Sequence, residues 1–331
     1  MYKEVNMLQQ ILQDKQCFKL VCGAGNEDSK EVEKLVALYA KAGANYFDLS
    51  AKEEIVKAAY SGLARVVPEN KRKDYYFNVS VGIKGDPHVS KALINENECI
   101  ACGACYKKCV QGAIIKGISN YQIDQKRCIG CSRCVEICSK SAISTISENK
   151  DLSMVLPQLI DLDIDSIELH VVSEDINKIF EQWKIINKHF KGILSICTDR
   201  SHAGDIQLIS MIKEMIKDRE MYSTIIQADG APMSGCDDKY ETTLQAIATA
   251  QIVQRANLPV FIMLSGGTNS KTTELARLCN INSNGIAIGS YGRMIVKDYI
   301  DREDFFENEQ IFNKALEIAK ELVDKCLREM K

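Results

Sequence analysis

The sequence predicts an α/β protein, a (β/α)8 barrel interrupted after its third strand by a cysteine-rich insert. Amphipathic helices alternate with short apolar strands along the 331-residue chain. This order implies parallel pairing, because each helix carries the chain back to the start of the next strand. Without the insert, residues 84–150, the remainder is close to the ~250 residues typical of such a barrel.

Eight apolar stretches have the length and composition of barrel strands. In chain order they are FKLVC (18–22), NYFDL (45–49), YFNVSVG (76–82), SIELHVV (166–172), GILSIC (192–197), STIIQA (223–228), PVFIML (259–264) and GIAIG (285–289). A doubly wound open sheet has the same alternation, since one sequence does not state strand order. The predicted domains are residues 1–83 with the first three strands, 84–150 with the insert, and 151–331 with the last five strands.

The insert contains two runs of four cysteines, both with the spacing C-x2-C-x2-C-x3-C, that start 29 residues apart. Three thiolates at intervals of three can reach three corners of an iron–sulfur cube. The fourth cysteine opens a short helix that leads away, so it ligates the other cube. The predicted ligand sets are Cys99, Cys102, Cys105 and Cys138 for one [4Fe-4S] cluster, and Cys128, Cys131, Cys134 and Cys109 for the second.

Over about residues 95–147 the chain resembles the bacterial two-cluster ferredoxins, and each cysteine run is followed by the pair Ala-Ile. The resemblance implies an α+β module that binds two [4Fe-4S] clusters. Val110 and Ser139 stand where that family has proline, a difference that bears on loop rigidity and not on ligation. The alternatives are a pair of zinc sites, which would not need this spacing twice, and buried structural thiols.

Composition and charge argue against several classes of partner. The net charge is −3, the pI is near 5.9, and the basic residues form no long run, which argues against nucleic acid or an anionic membrane. No apolar run reaches the ~18 residues of a membrane span, and the N-terminus lacks a signal-peptide pattern. We therefore expect a cytosolic protein, whose cysteine clusters are metal ligands or redox centres rather than disulfides.

Two glycine-containing segments, LSGGTN and IAIGSYGR, follow the last two predicted strands. In a barrel these loops lie on the same face as the insert, where ligands bind and a phosphate site is often built. Gly266, Gly267, Gly289 and Ser290 would let backbone N–H groups approach an anion. The expected ligand is FMN or another phosphate-bearing molecule, and a flavin would couple one-electron clusters to two-electron chemistry. Glycines at strand ends also simply make tight turns.

Polar residues at the predicted C-terminal strand ends are candidates for catalysis. We select Asp48, His170 and Asp229. The same strand ends also carry Cys22, Asn78, Ser80, Cys197, Asp199 and Gln227. Each has a structural alternative, since Asp48, like Asp28 and Ser29, could cap a helix, and His170 could be a hydrogen-bonded histidine beneath one. Cys22, Cys197 and Cys236 share no ligand-like spacing and are not expected to bind a metal.

From about residue 84 onward the order of parts resembles the light-dependent period protein (LdpA) family of cyanobacteria. The resemblance rests on the cysteine module followed by GAPMSG, LSGGTN and IAIGSYGR. It implies iron–sulfur clusters and a role in conveying cellular redox state to the circadian clock. It supports the eight cysteines as ligands and assigns no catalytic residue.

Two functions are compatible with these observations. The first is an oxidoreductase whose clusters pass electrons to a flavin or a small-molecule substrate at the barrel mouth, served by an electron donor or acceptor protein. The second is a redox sensor, whose cluster state changes the surface offered to a partner. A plain electron carrier would not need a barrel of this size.

Overall fold

The computed structural model describes residues 5–23, 25–82, 90–147, 152–171, 175–200, 204–230 and 238–331. Its strands are β1 (Cys17–Val21), β2 (Tyr46–Ser50), β3 (Tyr76–Val81), β4 (Ser90–Ile94), β5 (Ile114–Lys116), β6 (Tyr121–Ile123), β7 (Ile143–Ser147), β8 (Ser166–His170), β9 (Ile193–Thr198), β10 (Thr224–Ala228), β11 (Phe261–Leu264) and β12 (Gly285–Ile288). All eight predicted barrel strands are therefore present.

Eight strands form a closed parallel barrel in the order β1-β12-β11-β10-β9-β8-β3-β2. The pairing of β1 with β12, in which Phe18 lies opposite Ile286, closes the sheet. The prediction of a barrel is confirmed, and the open-sheet alternative is wrong. Closure leaves no sheet edge that would need to be covered.

The α-helices are α1 (Val5–Gln13), α2 (Ser29–Ala42), α3 (Glu53–Val66), α4 (Ala104–Lys108), α5 (Arg133–Glu136), α6 (Leu152–Ile160), α7 (Ile176–His189), α8 (Asp205–Ile216), α9 (Leu244–Arg255), α10 (Thr272–Leu278), α11 (Ser290–Ile300) and α12 (Glu309–Glu329). The described residues also include the 3₁₀ segments Glu69–Asp74 and Glu241–Thr243. In the described part of the chain, no helix combines the length and apolar character needed to cross a membrane.

The ends of α2 illustrate how local sequence sets helix boundaries. Asp28 is its N-cap and accepts hydrogen bonds from the backbone N–H groups of Lys30 and Glu31, which would otherwise lack partners. Gly43 ends the helix in the left-handed conformation, at φ +108°, a geometry that favours glycine. Of the suggested caps, Asp28 is confirmed. Asp48 is not a cap, because its side chain lies inside the barrel.

The barrel interior is apolar at one end and polar at the other. Near the strand starts a cluster of buried apolar side chains packs against Leu8 and Leu12 of α1, and it includes Cys17, Tyr46, Tyr76, Ile193, Ile225 and Phe261. Toward the carboxyl ends the inward positions become polar, with Asp48, Glu168 and Gln227 at most 3% exposed. The inside of the barrel is therefore closed below and suited to polar chemistry above.

Residues 90–147 form a small module between β3 and α6. Strands β4 and β7 pair antiparallel, as do β5 and β6, and α4 and α5 contain or border the cysteine runs. The module thus lies in a βα loop of the barrel, as expected. Its predicted bounds, residues 84 and 150, stay a prediction, since both lie outside the described residues.

Candidate functional site

The eight motif cysteines lie around two separate cavities in the module, each with an open volume of about 380 Å³. The first, which we call the outer cavity, is lined by Cys99, Cys102, Cys105 and Cys138. The second, the inner cavity, is lined by Cys109, Cys128, Cys131 and Cys134. The fourth cysteine of each run thus faces the first three of the other run, which is the grouping that the spacing predicts.

The cysteine geometry does not suit a single metal ion. Tetrahedral zinc, with Zn–S bonds of about 2.3 Å, holds its sulfur ligands about 3.8 Å apart. Among the described residues, which include all eight motif cysteines, none of these cysteines belongs to a group of three donor atoms within 4.8 Å of one another. The wider spacing fits a multi-iron cluster, whose bulk separates its ligands.

The backbone around both cavities is folded for close approach. Gly103 and Ser132, each preceding a short helix, have φ values of +75° and +57°. A Cβ atom on Gly103 would lie 2.8 Å from the hydroxyl of Tyr121, so a larger residue there would have to displace the Tyr121 side chain. The backbone N–H groups of Ala92 and Ala142 donate to the Sγ atoms of Cys128 and Cys138, both at 3.3 Å. Such N–H···S bonds stabilise thiolate ligands of a cluster.

The grouping of the cysteines leads to a test by substitution. Cys138→Ala and Cys102→Ala are both expected to abolish the electron paramagnetic resonance (EPR) signal of the same cluster, whereas Cys109→Ala abolishes that of the other, because each fourth cysteine serves the opposite run. Cys279→Ala is the control, since Cys279 is exposed and outside both cavities. If Cys138→Ala and Cys109→Ala abolished the EPR signal of the same cluster, the assignment would be wrong.

A third cavity, the mouth cavity, opens at the carboxyl ends of the barrel strands and has an open volume of about 670 Å³. It brings together every residue that we selected from the sequence for catalysis or ligand binding. These are Asp48, His170, Asp229, Gly266, Gly267, Gly289 and Ser290. The roles of these residues stay predictions, but all seven line the same cavity.

A buried ion pair that the sequence analysis missed lies directly below this cavity. Lys19 of β1 is fully buried, and its Nζ lies 2.6 Å from Glu168 Oε2 and 3.7 Å from Asp48 Oδ1. It also donates to Gln227 Oε1 at 3.0 Å. The signal was a lysine in the middle of the apolar strand FKLVC, at a position that alternation turns inward.

The two carboxyl groups beside Lys19 differ in their pKa. Burial alone would raise the pKa of Glu168, but the adjacent Lys19 ammonium and the bond from His170 outweigh it and hold this pKa well below its usual range. At Asp48 burial dominates over Lys19 and raises the pKa. The Lys19 pKa is raised, since the two carboxyl groups outweigh its burial. Such a separation of pKa values between two neighbouring carboxyl groups is typical of acid–base pairs.

His170 lies inside the barrel rather than beneath a helix. Its Nε2 is 3.2 Å from Glu168 Oε1. Donor atoms of Glu168, His170 and Cys197 lie within 4.8 Å of one another, close enough for one metal ion. However, Glu168 already accepts bonds from Lys19, Ser195 and Gln227, and burial raises the pKa of Cys197 well above its usual value. Hydrogen bonding accounts for this group without a metal ion.

Three other strand-end residues either form hydrogen bonds within the protein or pack in its core. Asn78 and Ser80 donate to Asp48 Oδ1, at 2.5 and 2.6 Å. Cys22 is buried in the main core outside the barrel, so it does not meet Cys197. Cys236 and most of GAPMSG lie outside the described residues.

The predicted phosphate segments have suitable backbone geometry. Gly266 and Gly267 have φ values of +64° and +72°, and a Cβ atom on Gly266 would lie 2.2 Å from Asp229 Oδ1. Helix α11 begins at Ser290 on the cavity wall, where first-turn N–H groups favour an anion. Arg293, which the sequence analysis did not select, also lines the cavity and is 4% exposed.

The mouth cavity and the inner cavity share a wall. Ile129, between Cys128 and Cys131, lines both cavities. Gln111 of the inner cavity accepts bonds from Arg293 Nε and Nη2, at 3.1 and 2.9 Å, when its amide oxygen is turned toward that guanidinium. One cysteine group thus lies directly beside the candidate ligand site.

Polar contacts fasten the module to the barrel on this side. The backbone N–H of Glu27 donates to the Lys126 carbonyl at 2.7 Å. Arg127 pairs with Asp301 at 2.6 Å and lies 3.4 Å from carboxylates of both Asp28 and Glu31. These contacts join the start of the barrel, at residues 27–31, and its end, at Asp301, to the loop that precedes Cys128. They therefore hold the shared wall in place.

Two family models match this chain. The family model for the light dependent period A C-terminal domain matches residues 158–326, more than half of the chain. The chain belongs to this family. A model for the 4Fe-4S dicluster domain matches residues 85–151. This light dependent period A family member is therefore an iron–sulfur, redox-related protein, and the resemblance read from the sequence is confirmed.

One curated relative is Light dependent period A of Synechococcus elongatus, 29% identical over 256 residues that cover 77% of this chain and 72% of that protein. Solved structures with a similar fold include tryptophan synthase from M. tuberculosis (TM-score 0.47, 8% identity, 100% of this chain and 99% of that one). A monomeric dihydrodipicolinate synthase variant is another (TM-score 0.43, 10% identity, 93% and 79%).

Proposed function

We propose that this family member is an oxidoreductase that holds two [4Fe-4S] clusters in the outer and inner cavities and uses them to reduce or oxidise a ligand in the mouth cavity. The clusters supply one-electron transfer. The observation that carries the proposal is the wall formed by Ile129, which lines both the inner cavity and the mouth cavity. A ligand in the mouth cavity would be separated from the inner cluster by little more than one side chain.

The groups around the mouth cavity suit a reaction that consumes protons. Reducing a flavin or a carbonyl group takes two electrons and two protons. An external one-electron carrier protein would supply the electrons through the clusters. Asp48, whose pKa burial raises, would supply a proton, and the Lys19–Glu168 pair would hold the neighbouring charges fixed. His170, which also lines the cavity, is the second candidate proton donor.

The ligand class follows from the opposite wall of the cavity. Two glycines in the left-handed region, the start of α11 and the buried Arg293 all favour an anionic group. Asp229, beside Gly266, would repel a phosphate unless it donates a proton or binds a donor group of the same ligand. FMN combines a phosphate with a ring of many donors and acceptors, so it is the first ligand to test.

Protein prepared without oxygen is expected to bind FMN and, after chemical reduction of its clusters, to transfer two electrons to it. Arg293→Gln should weaken FMN binding by tenfold or more, because a charge-assisted hydrogen bond contributes about 1.5–3 kcal/mol. Arg277→Gln, which removes an exposed arginine that pairs with Glu329, is the matched control. The measurements are fluorescence quenching for affinity and stopped-flow absorbance for electron transfer.

A redox sensor is the second candidate, and the outer half of the module favours it. Ile100 is 58% exposed and Tyr106 is 51% exposed, and Cys102 between them is also exposed. A partner bound there would contact the loop that holds one cluster. If the protein bound no phosphate-bearing ligand but bound a partner more tightly in one redox state, the sensor would replace the oxidoreductase. Equal affinity in both redox states would exclude the sensor.

A further inference from the structure

The module is an internal repeat, and its two halves can be compared residue by residue. At an offset of 29 residues all four cysteines coincide, and so do Ile94 with Ile123 and Ile100 with Ile129. Ala92 lines the inner cavity, and its counterpart Tyr121 lines the outer cavity. Differences between equivalent positions therefore show how the two clusters would differ in environment.

The two halves face different surroundings. Ile129 is 5% exposed against the barrel, whereas its counterpart Ile100 is 58% exposed. Cys102 is exposed and its counterpart Cys131 is half-buried. The outer cavity therefore faces solvent, where an external electron carrier could bind, and the inner cavity faces the mouth cavity.

One buried charge breaks the repeat. Lys91, in β4, has Asn120 as its counterpart and is 5% exposed. Its ammonium group donates to the carbonyls of Cys128 at 2.8 Å, of Gln125 at 2.7 Å, and of Gly25 in the first barrel loop. Three N–H bonds thus meet three carbonyl acceptors, and they hold this cation against the loop that carries the inner cysteines.

The charged side chains that line the two cavities balance. Each cavity is lined by one basic residue, Arg133 in the inner cavity and Lys140 in the outer cavity. Within the described ranges, Lys91 lies 4.0 Å from a carboxylate oxygen of Glu27, and Glu27 also pairs with Lys52 at 2.5 Å. Arg127, next to Cys128, has Glu98 as its counterpart, but its guanidinium lies within 3.4 Å of the carboxylates of Asp28, Glu31 and Asp301. Lys91 is therefore a buried cation that distinguishes the inner half from the outer half.

We propose that Lys91 raises the reduction potential of the inner cluster above that of the outer cluster. Reduction adds one negative charge to a cluster, and a fixed cation shielded from water stabilises that charge. An electron then leaves the reduced outer cluster and is accepted by the oxidised inner cluster, beside the mouth cavity. Lys91 is a positioning residue in this proposal, which rests on the two clusters of the proposed function.

The test is an EPR-monitored redox titration of the full-length, anaerobically reconstituted protein. Unmodified protein should show two separated midpoints. Lys91→Gln keeps hydrogen-bond donors and removes the charge. It should lower the higher midpoint by about 59 mV or more, which for one electron corresponds to a tenfold or greater change in the equilibrium constant of reduction. Lys91→Arg should retain the higher midpoint.

Lys126→Gln is the matched control, because it removes an exposed lysine from the same loop and makes the same change in net charge. Its midpoints should stay close to those of unmodified protein, since water screens an exposed charge. Coincident midpoints in unmodified protein, or equal midpoints in Lys91→Gln and Lys126→Gln, would overturn the proposal.

If Lys91→Gln does not retain both clusters, the order of potentials in unmodified protein decides. An iron chelator should remove the solvent-facing outer cluster first, and the cluster that remains must have the higher midpoint; a lower midpoint overturns the proposal. These readouts need no ligand in the mouth cavity. Correct potentials in a protein that reduces no ligand would therefore contradict the oxidoreductase and leave the role of Lys91 intact.

Discussion

Lys19→Met is expected to lower the free energy of unfolding by about 3–5 kcal/mol, the usual cost of removing one partner of a buried ion pair. Lys19 and Glu168 are both essentially inaccessible to water, and their charged atoms are 2.6 Å apart. Methionine fills the same space but leaves the Glu168 carboxylate uncompensated. Chemical unfolding followed by circular dichroism measures the loss.

Two further variants make this result specific to the buried pair. Lys57→Met removes an exposed lysine from its i,i+4 pair with Glu53 and should change stability by about 0.5 kcal/mol or less. Adding Glu168→Gln to Lys19→Met removes the stranded charge and should recover part of the loss. A Lys19→Met protein as stable as Lys57→Met would mean that the buried pair does not form.

Asp48→Asn is expected to slow reduction of the bound ligand by about 10²–10⁴-fold, the usual contribution of a positioned proton donor. Asparagine has the shape of aspartate and can still accept from Asn78 and Ser80, which contact Asp48 in the structure. It has no acidic proton to give. Single-turnover kinetics with prereduced clusters measures the effect, and cluster absorbance and ligand affinity should be unchanged.

The pH dependence gives this prediction a second readout. Burial raises the pKa of Asp48 above its ordinary value, so the rate should fall as pH rises through that raised pKa, and this limb should be missing in Asp48→Asn. Because the folded pKa exceeds the unfolded one, the group's contribution to stability is complete below the unfolded pKa and is lost as pH rises through the folded pKa. A rate in Asp48→Asn equal to that of the exposed-surface control Asp205→Asn would rule out Asp48 as the donor.

The parts of the site that were predictable from the sequence depend on short-range patterns. Strand positions follow from the period-two alternation of apolar residues between turn residues, and all eight barrel strands are found. The grouping of Cys138 with the first cysteine run follows from the spacing of ligands around a cube. Asp48, His170 and Asp229 could be selected because carboxyl ends of parallel strands share one face.

The residues that the sequence analysis missed are defined by distant partners. Lys19 and Glu168 are 149 positions apart, and a lysine in an apolar strand could equally have extended its end to solvent. In the sequence, Arg293 has the pattern of an ordinary helix residue. Its contact with Gln111, which links the mouth cavity to the inner cavity, exists only in the folded chain. Lys91 is distinguished from a surface lysine by its burial and by the three carbonyls that accept its hydrogen bonds, and all three acceptors are distant in the sequence.

By itself, the sequence determined the positions of the eight barrel strands, the iron–sulfur character and the place of the module after the third strand, since each depends on residues close together in the chain. Only the tertiary structure decided that the barrel closes and which half of the module faces it. Ile100 and Ile129 occupy equivalent positions in the repeat, yet one is exposed and the other forms the wall of the mouth cavity. The physical reason is that burial depends on which surfaces meet, and a local repeat contains no information about that choice.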